Sequence, residues 1–425
     1  MRVDIHAHFF TFQVFLTAAA ETNLRGRLVR DTHMSPAAAK TVVTLLKAII
    51  QEGVGQSGLW QFLKKIGMVD HFAEQFVKTG CLPSISAVAD AFFDGMSSGQ
   101  VARGYVPWPP GVGDTAEELV TTALMMDVVD AASSQADLDK FAVQYRDTVL
   151  QAIRYPGRLL PFVAFNPLRG EQALRTVEYA LDAGECVGVK LYPSLGYDAN
   201  EPVINSLLAI CAAYDAPIIM HCNDGGFCGP NELDPDKCFP GSWGDAVENY
   251  DVRIDFAHFG EQNRPGAYNT VWRDNICTLM AAQPEKCFTD LSYQSHMVKK
   301  TSYSAAYADW LRGVMAKPIS DNVLFGTDFF MSCMETDILS YWSAMAAVLG
   351  PDFDRVCQAN AERFLGFEPP SAPGADDALP RKDSSLERHA CYLRAKGKGN
   401  PAFASGAQPA SWLTRLWAER PLPRP

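Results

Sequence analysis

The stretch RVDIHAHFF, residues 2–10, decides how the rest of the chain is read. Val3 and Ile5 alternate with Asp4 and His6, and His8 follows one step further on. Residues i and i+2 of a β-strand face the same side, so His6 and His8 converge on one point. Such a pair suits a metal ion. It suits equally two histidines hydrogen-bonded inside a barrel, and the strand alone does not separate the two.

Seven further runs of the same kind follow: LVTTALMMDVV (119–129), LLPFVAFNP (159–167), VGVKLYP (187–193), APIIMHC (216–222), RIDFAHFG (253–260), KCFTDLSY (286–293) and VLFGTDFF (323–330). Each is short and rich in Val, Ile, Leu or Phe, without strict polar alternation, as strands buried on both faces are. Between them Leu138, Phe141, Ala142, Tyr145, Val149 and Ile153 recur at helical spacing, and so do Leu174, Val177, Ala180 and Leu181. Pro156–Gly157 and Gly184 supply the helix stops. Eight strands alternating with helices predict an α/β fold, a (β/α)8 TIM barrel on residues 1–10 and 119–367. A doubly wound open sheet is the alternative.

Two tracts fall outside this pattern. Residues 11–118 separate the first two strands, with helical segments at 37–50, 59–66 and 83–96 and a loop, GYVPWPPGVGD, at 104–114. An insertion after the first strand of a barrel emerges at the C-terminal face, so a helical cap over the site is expected. His33 and His71 within it read as structural. After NAERFLGF (360–367), the segment EPPSAPGADDALPRKD opens a Pro-rich linker and C-terminal tail, residues 368–425. Trp412, Leu413, Leu416 and Trp417 share one helical face there, which is expected to dock on the barrel or on a second copy. A homodimer is therefore an expectation.

A length of 425 residues accommodates one large α/β domain with additions. The net charge of -12 argues against a nucleic-acid partner and disfavours adhesion to an anionic membrane. Apolar runs such as Ala216–Met220 are too short to span a bilayer. The 11 cysteines are scattered, and Cys222, Cys228 and Cys238 lack the close pairing of a zinc ribbon. They read as free thiols in a reducing compartment. No signal-peptide pattern precedes the first strand, so a cytoplasmic protein is expected.

Placing polar residues on the strands locates the chemistry. His6 and His8 end the first strand, Lys190 lies in the fourth, and His221, His258 and Asp328 end the fifth, sixth and eighth. The C-terminal ends of barrel strands carry active sites. Four histidines and an aspartate offer the N and O donors that Zn²⁺ or a similar divalent ion prefers.

DIHAH, MHCNDG, AHFG and FGTD resemble the metal-site motifs of the amidohydrolase superfamily. They are most similar to its branch containing aminocarboxymuconate-semialdehyde decarboxylase and many metal-dependent hydrolases. The resemblance covers residues 1–10 and about 119–367. It implies a small-molecule substrate and a metal, Zn²⁺ or Mn²⁺/Fe²⁺, one ion per chain, held by His6, His8, His221 and Asp328. It also implies catalytic roles for Asp328, which takes a proton from water, and for His258, which acts on substrate or binds a second metal. GVKLYPS is similar to a dihydroorotase segment whose lysine is carboxylated and bridges two metals. In that case Lys190, as a carbamate, and His258 join the ligands; otherwise Lys190 is an ammonium that holds a substrate carboxylate or pairs with Asp328.

Several residues follow the later strands closely: Tyr192, Asn223, Asp224, Trp243, Arg264, Tyr293 and Phe329. Lys190, Arg264, Tyr192 and Asn223 are the candidates for substrate binding, Arg264 because its fork grips a carboxylate bidentately. Asp4 reads as a support for the strand's histidines, and Asp127 is left unassigned. GVGQSG (53–58) has the spacing of a dinucleotide loop but follows a helical segment, not a strand. His296 reads as a loop residue. The expected reaction is metal-dependent hydrolysis of a small amide, lactam, ester or lactone. Non-oxidative decarboxylation of a small carboxylic acid is the alternative, and a non-catalytic metal-binding scaffold is disfavoured by the complete ligand set.

Overall fold

The computed structural model describes the chain apart from residues 33–34, 53–81, 83, 97–104, 107–116, 130–132, 229–233, 263–269, 300–301, 330, 333–335, 337, 369–377, 398–407 and 421–425. Each of the eight runs coincides with one strand of a single sheet, the second strand beginning two residues before its run. Its order is β1 (Arg2–Asp4), β3 (Glu117–Leu124), β4 (Leu159–Phe165), β5 (Gly188–Leu191), β6 (Ile218–Met220), β7 (Ile254–Phe256), β8 (Cys287–Asp290) and β9 (Val323–Leu324). Every neighbouring pair in this order is parallel. A short strand inside the expected 104–114 loop, β2 (Tyr105–Val106), adds to β3 antiparallel.

The pairing continues past the last strand. Ile5 N–H donates to the Phe325 carbonyl at 2.9 Å, Asp328 N–H to His6 at 2.7 Å and His8 N–H to Phe329 at 2.5 Å. Ala7 bridges Phe329 in parallel. These bonds join the two ends of the sheet, so the chain forms the TIM barrel and not the open sheet. Val3, Ile5, Val120, Leu160, Phe162, Ile219, Phe288 and Leu324 are buried in one cluster with the tail.

The insertion holds the expected helices as Pro36–Glu52 and Ile85–Met96, with Phe12–Phe15 and Ala18–Thr32 in addition. The last of these, AAAETNLRGRLVRDT, is too polar to show an apolar repeat. It is tied to loops at the C-terminal ends of the strands. Thr17 Oγ donates to the Val128 carbonyl at 2.5 Å, and Cys228 N–H donates to Asn23 Oδ1 at 2.5 Å. The 59–66 segment, His33, His71 and GVGQSG lie outside the described residues.

The tail packs on the opposite, N-terminal face of its own barrel, through helices Ser385–Gly397 and Ser411–Glu419. His389 Nδ1–H donates to the Gly184 carbonyl at 2.8 Å, and Trp412 Nε1–H to the Gly157 carbonyl at 2.9 Å. Both glycines have positive φ, +70° and +72°, which L side chains rarely adopt. A Cβ on Gly184 would stand 2.4 Å from the Arg388 carbonyl oxygen, and one on Gly157 2.9 Å from Ala410 Cβ. The residues that stop the helices therefore also admit the tail. Trp412, Leu413 and Leu416 are buried there, and Trp417 is half-buried. Among the described residues no helix is long and apolar enough to cross a membrane, and the nine described cysteines are free.

Candidate metal centre

The barrel gathers the histidines because each follows a strand at the same end. His6 is fully buried; its Nδ1–H donates to Asp290 Oδ2 at 2.6 Å, which turns Nε2 toward the centre. His8 is held likewise, Nδ1–H donating to the Leu124 carbonyl at 3.0 Å. Asp328 Oδ1 then lies 3.3 Å from His8 Nε2 and 3.7 Å from His6 Nε2. One ligand atom from each of His6, His8 and Asp328 falls within 4.8 Å of the others, and the same holds for His6, His258 and Asp290.

On the far side of His6, His258 Nε2 is 3.1 Å from His221 Nδ1. His221 Nε2 faces the Gly225 carbonyl at 3.3 Å, and its ring stacks on Tyr192 with centroids 3.9 Å apart. Gly226 packs against both rings: a Cβ there would meet the Tyr192 hydroxyl at 2.2 Å. Lys190 Nζ is 3.3 Å from His6 Nε2. His258 (φ 62°), Tyr293 (φ 59°) and Asp328 (φ 56°) all have left-handed backbone. For non-glycine residues that costs about 1–3 kcal/mol each and is concentrated at functional sites.

The electrostatics favour ligand chemistry. Burial lowers His6 to about 4, with Lys190 pushing the same way. Burial also holds His8, His221 and His258 well below the usual imidazole range. Neutral imidazole is the form that binds metal. Burial opposes ionisation of Asp290, but His6 and the Ser292 hydroxyl outweigh it and keep the carboxyl well below its ordinary value. Lys190 is lowered to about 8 by burial, against the pull of Asp290, Asp328 and Asp255. The donor set, two inward Nε2 atoms and a carboxylate oxygen, fits a divalent ion.

Of the expected ligands, His6, His8 and Asp328 stand together, while His221 is outside that group and contacts His258. Asp4 bridges the first and last strands, accepting His6 N–H at 3.2 Å, Thr327 N–H at 2.9 Å and the Thr327 hydroxyl at 2.6 Å. Tyr192, Asn223 and Tyr293 line the cleft above the centre with Phe10, Met126, Phe227 and Met331. Asn223 Oδ1 accepts the Gly225 N–H at 2.8 Å. Arg264 lies outside the described residues. Trp243 and Phe329 are buried and absent from the cleft lining. Asp127 forms a buried ion pair with Arg169. His296 opens a short helix, His296–Lys299, and packs against Tyr303 and Tyr307.

Asp290 and Ser292 escaped the sequence reading. The signal was present: KCFTDLSY carries a carboxylate at the C-terminal end of its strand, where the other runs carry their ligands. What hid it was the lack of an adjacent histidine.

The chain matches the amidohydrolase family (Amidohydro_2) over residues 3–367 and belongs to it. This is a family of enzymes. No curated protein matches the chain. Among solved structures it is similar to an uncharacterised TIM-barrel protein of Bordetella bronchiseptica, at 16% identity, 73% of this chain, 94% of that one and a TM-score of 0.46. It is also similar to a probable 2-pyrone-4,6-dicarboxylic acid hydrolase of Acinetobacter baumannii (11%, 58% and 84%, 0.43). A third similar structure is 2,6-dihydroxybenzoate decarboxylase from Rhizobium (12%, 58% and 84%, 0.41). These likenesses concern the path of the chain and say nothing about its reaction.

Proposed function

We propose that the protein is a metal-dependent hydrolase of small amides, lactams, esters or lactones. The observation that supports this most is the convergence of His6 Nε2, His8 Nε2 and Asp328 Oδ1 beneath an open cleft. A divalent ion bound there, Zn²⁺ or Mn²⁺/Fe²⁺ at one per chain, supplies a Lewis acid and makes water acidic enough to ionise near neutrality. His6, His8, His221 and Asp328 are its proposed ligands.

The side chains divide the remaining work. Asp328 takes the proton of the attacking water and delivers it to the leaving group. His258 Nε2, facing the same space, assists proton transfer as a base. Phe10, Tyr192, Phe227 and Tyr293 offer a planar or apolar body flat surfaces, and Asn223 and Arg264 are the polar hooks proposed for its substituents. Lys190 stays an ammonium in this reading. If it were a carbamate, His221 and His258 would serve a second ion.

Lys190 also supports a second reading. A buried cation 3.3 Å from His6 Nε2 could hold a carboxylate for non-oxidative decarboxylation. Turnover in H₂¹⁸O separates the two: a hydrolase places ¹⁸O in its organic product, whereas a decarboxylase releases CO₂ and leaves its organic product without ¹⁸O. Asp328→Asn should lower either activity by at least about a hundredfold, within the range general acid–base groups contribute. Parental turnover in that variant would overturn the assignment.

A further inference from the structure

We propose that Ser292 is a positioning residue that fixes the tautomer of His258, so that Nε2 of this ring faces the centre only as an acceptor. The argument rests on counting protons in a fully buried group. Asp290 Oδ1 takes three donors: His258 N–H at 2.9 Å, Ser292 N–H at 2.9 Å and the Ser292 hydroxyl at 2.5 Å. Its other oxygen takes His6 Nδ1–H. A serine hydroxyl has one proton. Once that proton is given to Asp290, Ser292 Oγ can only accept from its remaining neighbour, His258 Nδ1, 2.7 Å away.

The reverse arrangement, with the hydroxyl donating to Nδ1, would bring Oγ and a carboxylate oxygen to 2.5 Å with no proton between them. Ser292 and Asp290 are both fully buried, so water could not relieve that repulsion. Nδ1 therefore carries the ring proton and Nε2 is bare, an acceptor for the Nδ1–H of His221, 3.1 Å away. The backbone is fixed from the same side, because Gln294 Nε2–H donates to the His258 carbonyl at 3.0 Å. The left-handed turn at His258 aims the ring, and Ser292 decides which nitrogen is active.

This rests on the reading of His258 as part of the centre, yet it is measured without turnover. Zinc-supplemented protein labelled with ¹⁵N-histidine is compared by long-range ¹H–¹⁵N NMR with Ser292→Ala and Ser292→Thr, and His258→Gln identifies the ring's signals. The expected result is a Nδ1–H tautomer for His258 in the parent and in Ser292→Thr, which keeps the hydroxyl. In Ser292→Ala at least half of that population should be lost. A parent His258 protonated on Nε2, or an unchanged spectrum in Ser292→Ala, overturns the proposal. If Ser292→Ala does not fold, the parent and Ser292→Thr spectra decide. Failure to hydrolyse any amide or lactone would count against the proposed reaction and leave the tautomer result standing.

Discussion

Replacing Asp290 by Asn tests whether the centre is held by the carboxylate behind it. The carboxylate accepts four hydrogen bonds, two from side chains of the centre and two from backbone. Asn keeps the shape but loses the charge and turns one acceptor into a donor facing N–H or O–H groups. Hydrogen bonds to charged groups contribute about 1.5–3 kcal/mol each, and removing a partner that orients a metal ligand costs about 10–100-fold in affinity. That is about 1.4–2.7 kcal/mol of binding. Zinc at 100 times the parental Kd should stabilise the parent by about 2.7 kcal/mol. At a hundredfold weaker affinity, Asp290→Asn gains only about 0.4 kcal/mol from the same concentration. The assay is chemical unfolding of each protein with and without zinc, so the metal-induced increment is compared and any intrinsic loss of stability cancels. Chelator competition gives the Kd directly. Zinc affinity within twofold of the parent would refute the role given to Asp290.

Other predictions concern the tail, the turn and Lys190. Trp412→Ala, which empties a buried site and leaves the Gly157 carbonyl without its donor, should cost about 3–5 kcal/mol in urea unfolding; a loss under about 1 kcal/mol would mean the tail is not part of the fold. His389 is held neutral, lowered to about 4 by burial. Because its folded-state value lies below the unfolded one, its contribution is complete above about pH 6.5 and is lost as pH falls toward 4. The stability difference between parent and His389→Gln should therefore shrink by up to about 3 kcal/mol across that window, and parallel pH profiles would contradict it. Gly260→Ala forces a Cβ to 2.9 Å from Trp272 Cβ at φ +60°; it should lower the midpoint of thermal unfolding and weaken zinc binding together, and a shift in neither would argue against a taut turn. Metal analysis should give one ion per chain, unchanged in Lys190→Ala; two ions in the parent and fewer in the variant would establish the carbamate.

The barrel was legible because buried parallel strands leave continuous apolar runs; seven of the eight runs contain their strand, and the remaining strand, Glu117–Leu124, begins two residues before its run. The histidines were legible because each follows an apolar run at the same end of the sheet, although the turn at His258, not a strand period, aims that ring. Asp290 was passed over because no histidine stands beside it at its strand end; its meaning comes from His6, which is 284 positions away in the chain. The helix Ala18–Thr32 was missed because its stability comes from anchors such as Thr17 and Asn23, not from an apolar stripe. The tail's choice of its own barrel was likewise decided by glycines at 157 and 184, whose sequence signal read only as helix stops.

The clamp between Asp4 and Thr327 also sets an order of events. Its partners are 323 positions apart, so a ribosome releases His6 and His8 long before Thr327 and Asp328 exist. Until then β1 can pair only with β3, and its other edge stays open to chance pairing, as unpaired edges are. Contacts this distant also make closure a late and slow step. The nascent chain thus carries half of the proposed metal site for most of its synthesis, and the proposed ligand set is complete only once the barrel has closed. Metal uptake at the proposed centre would then report that folding is finished.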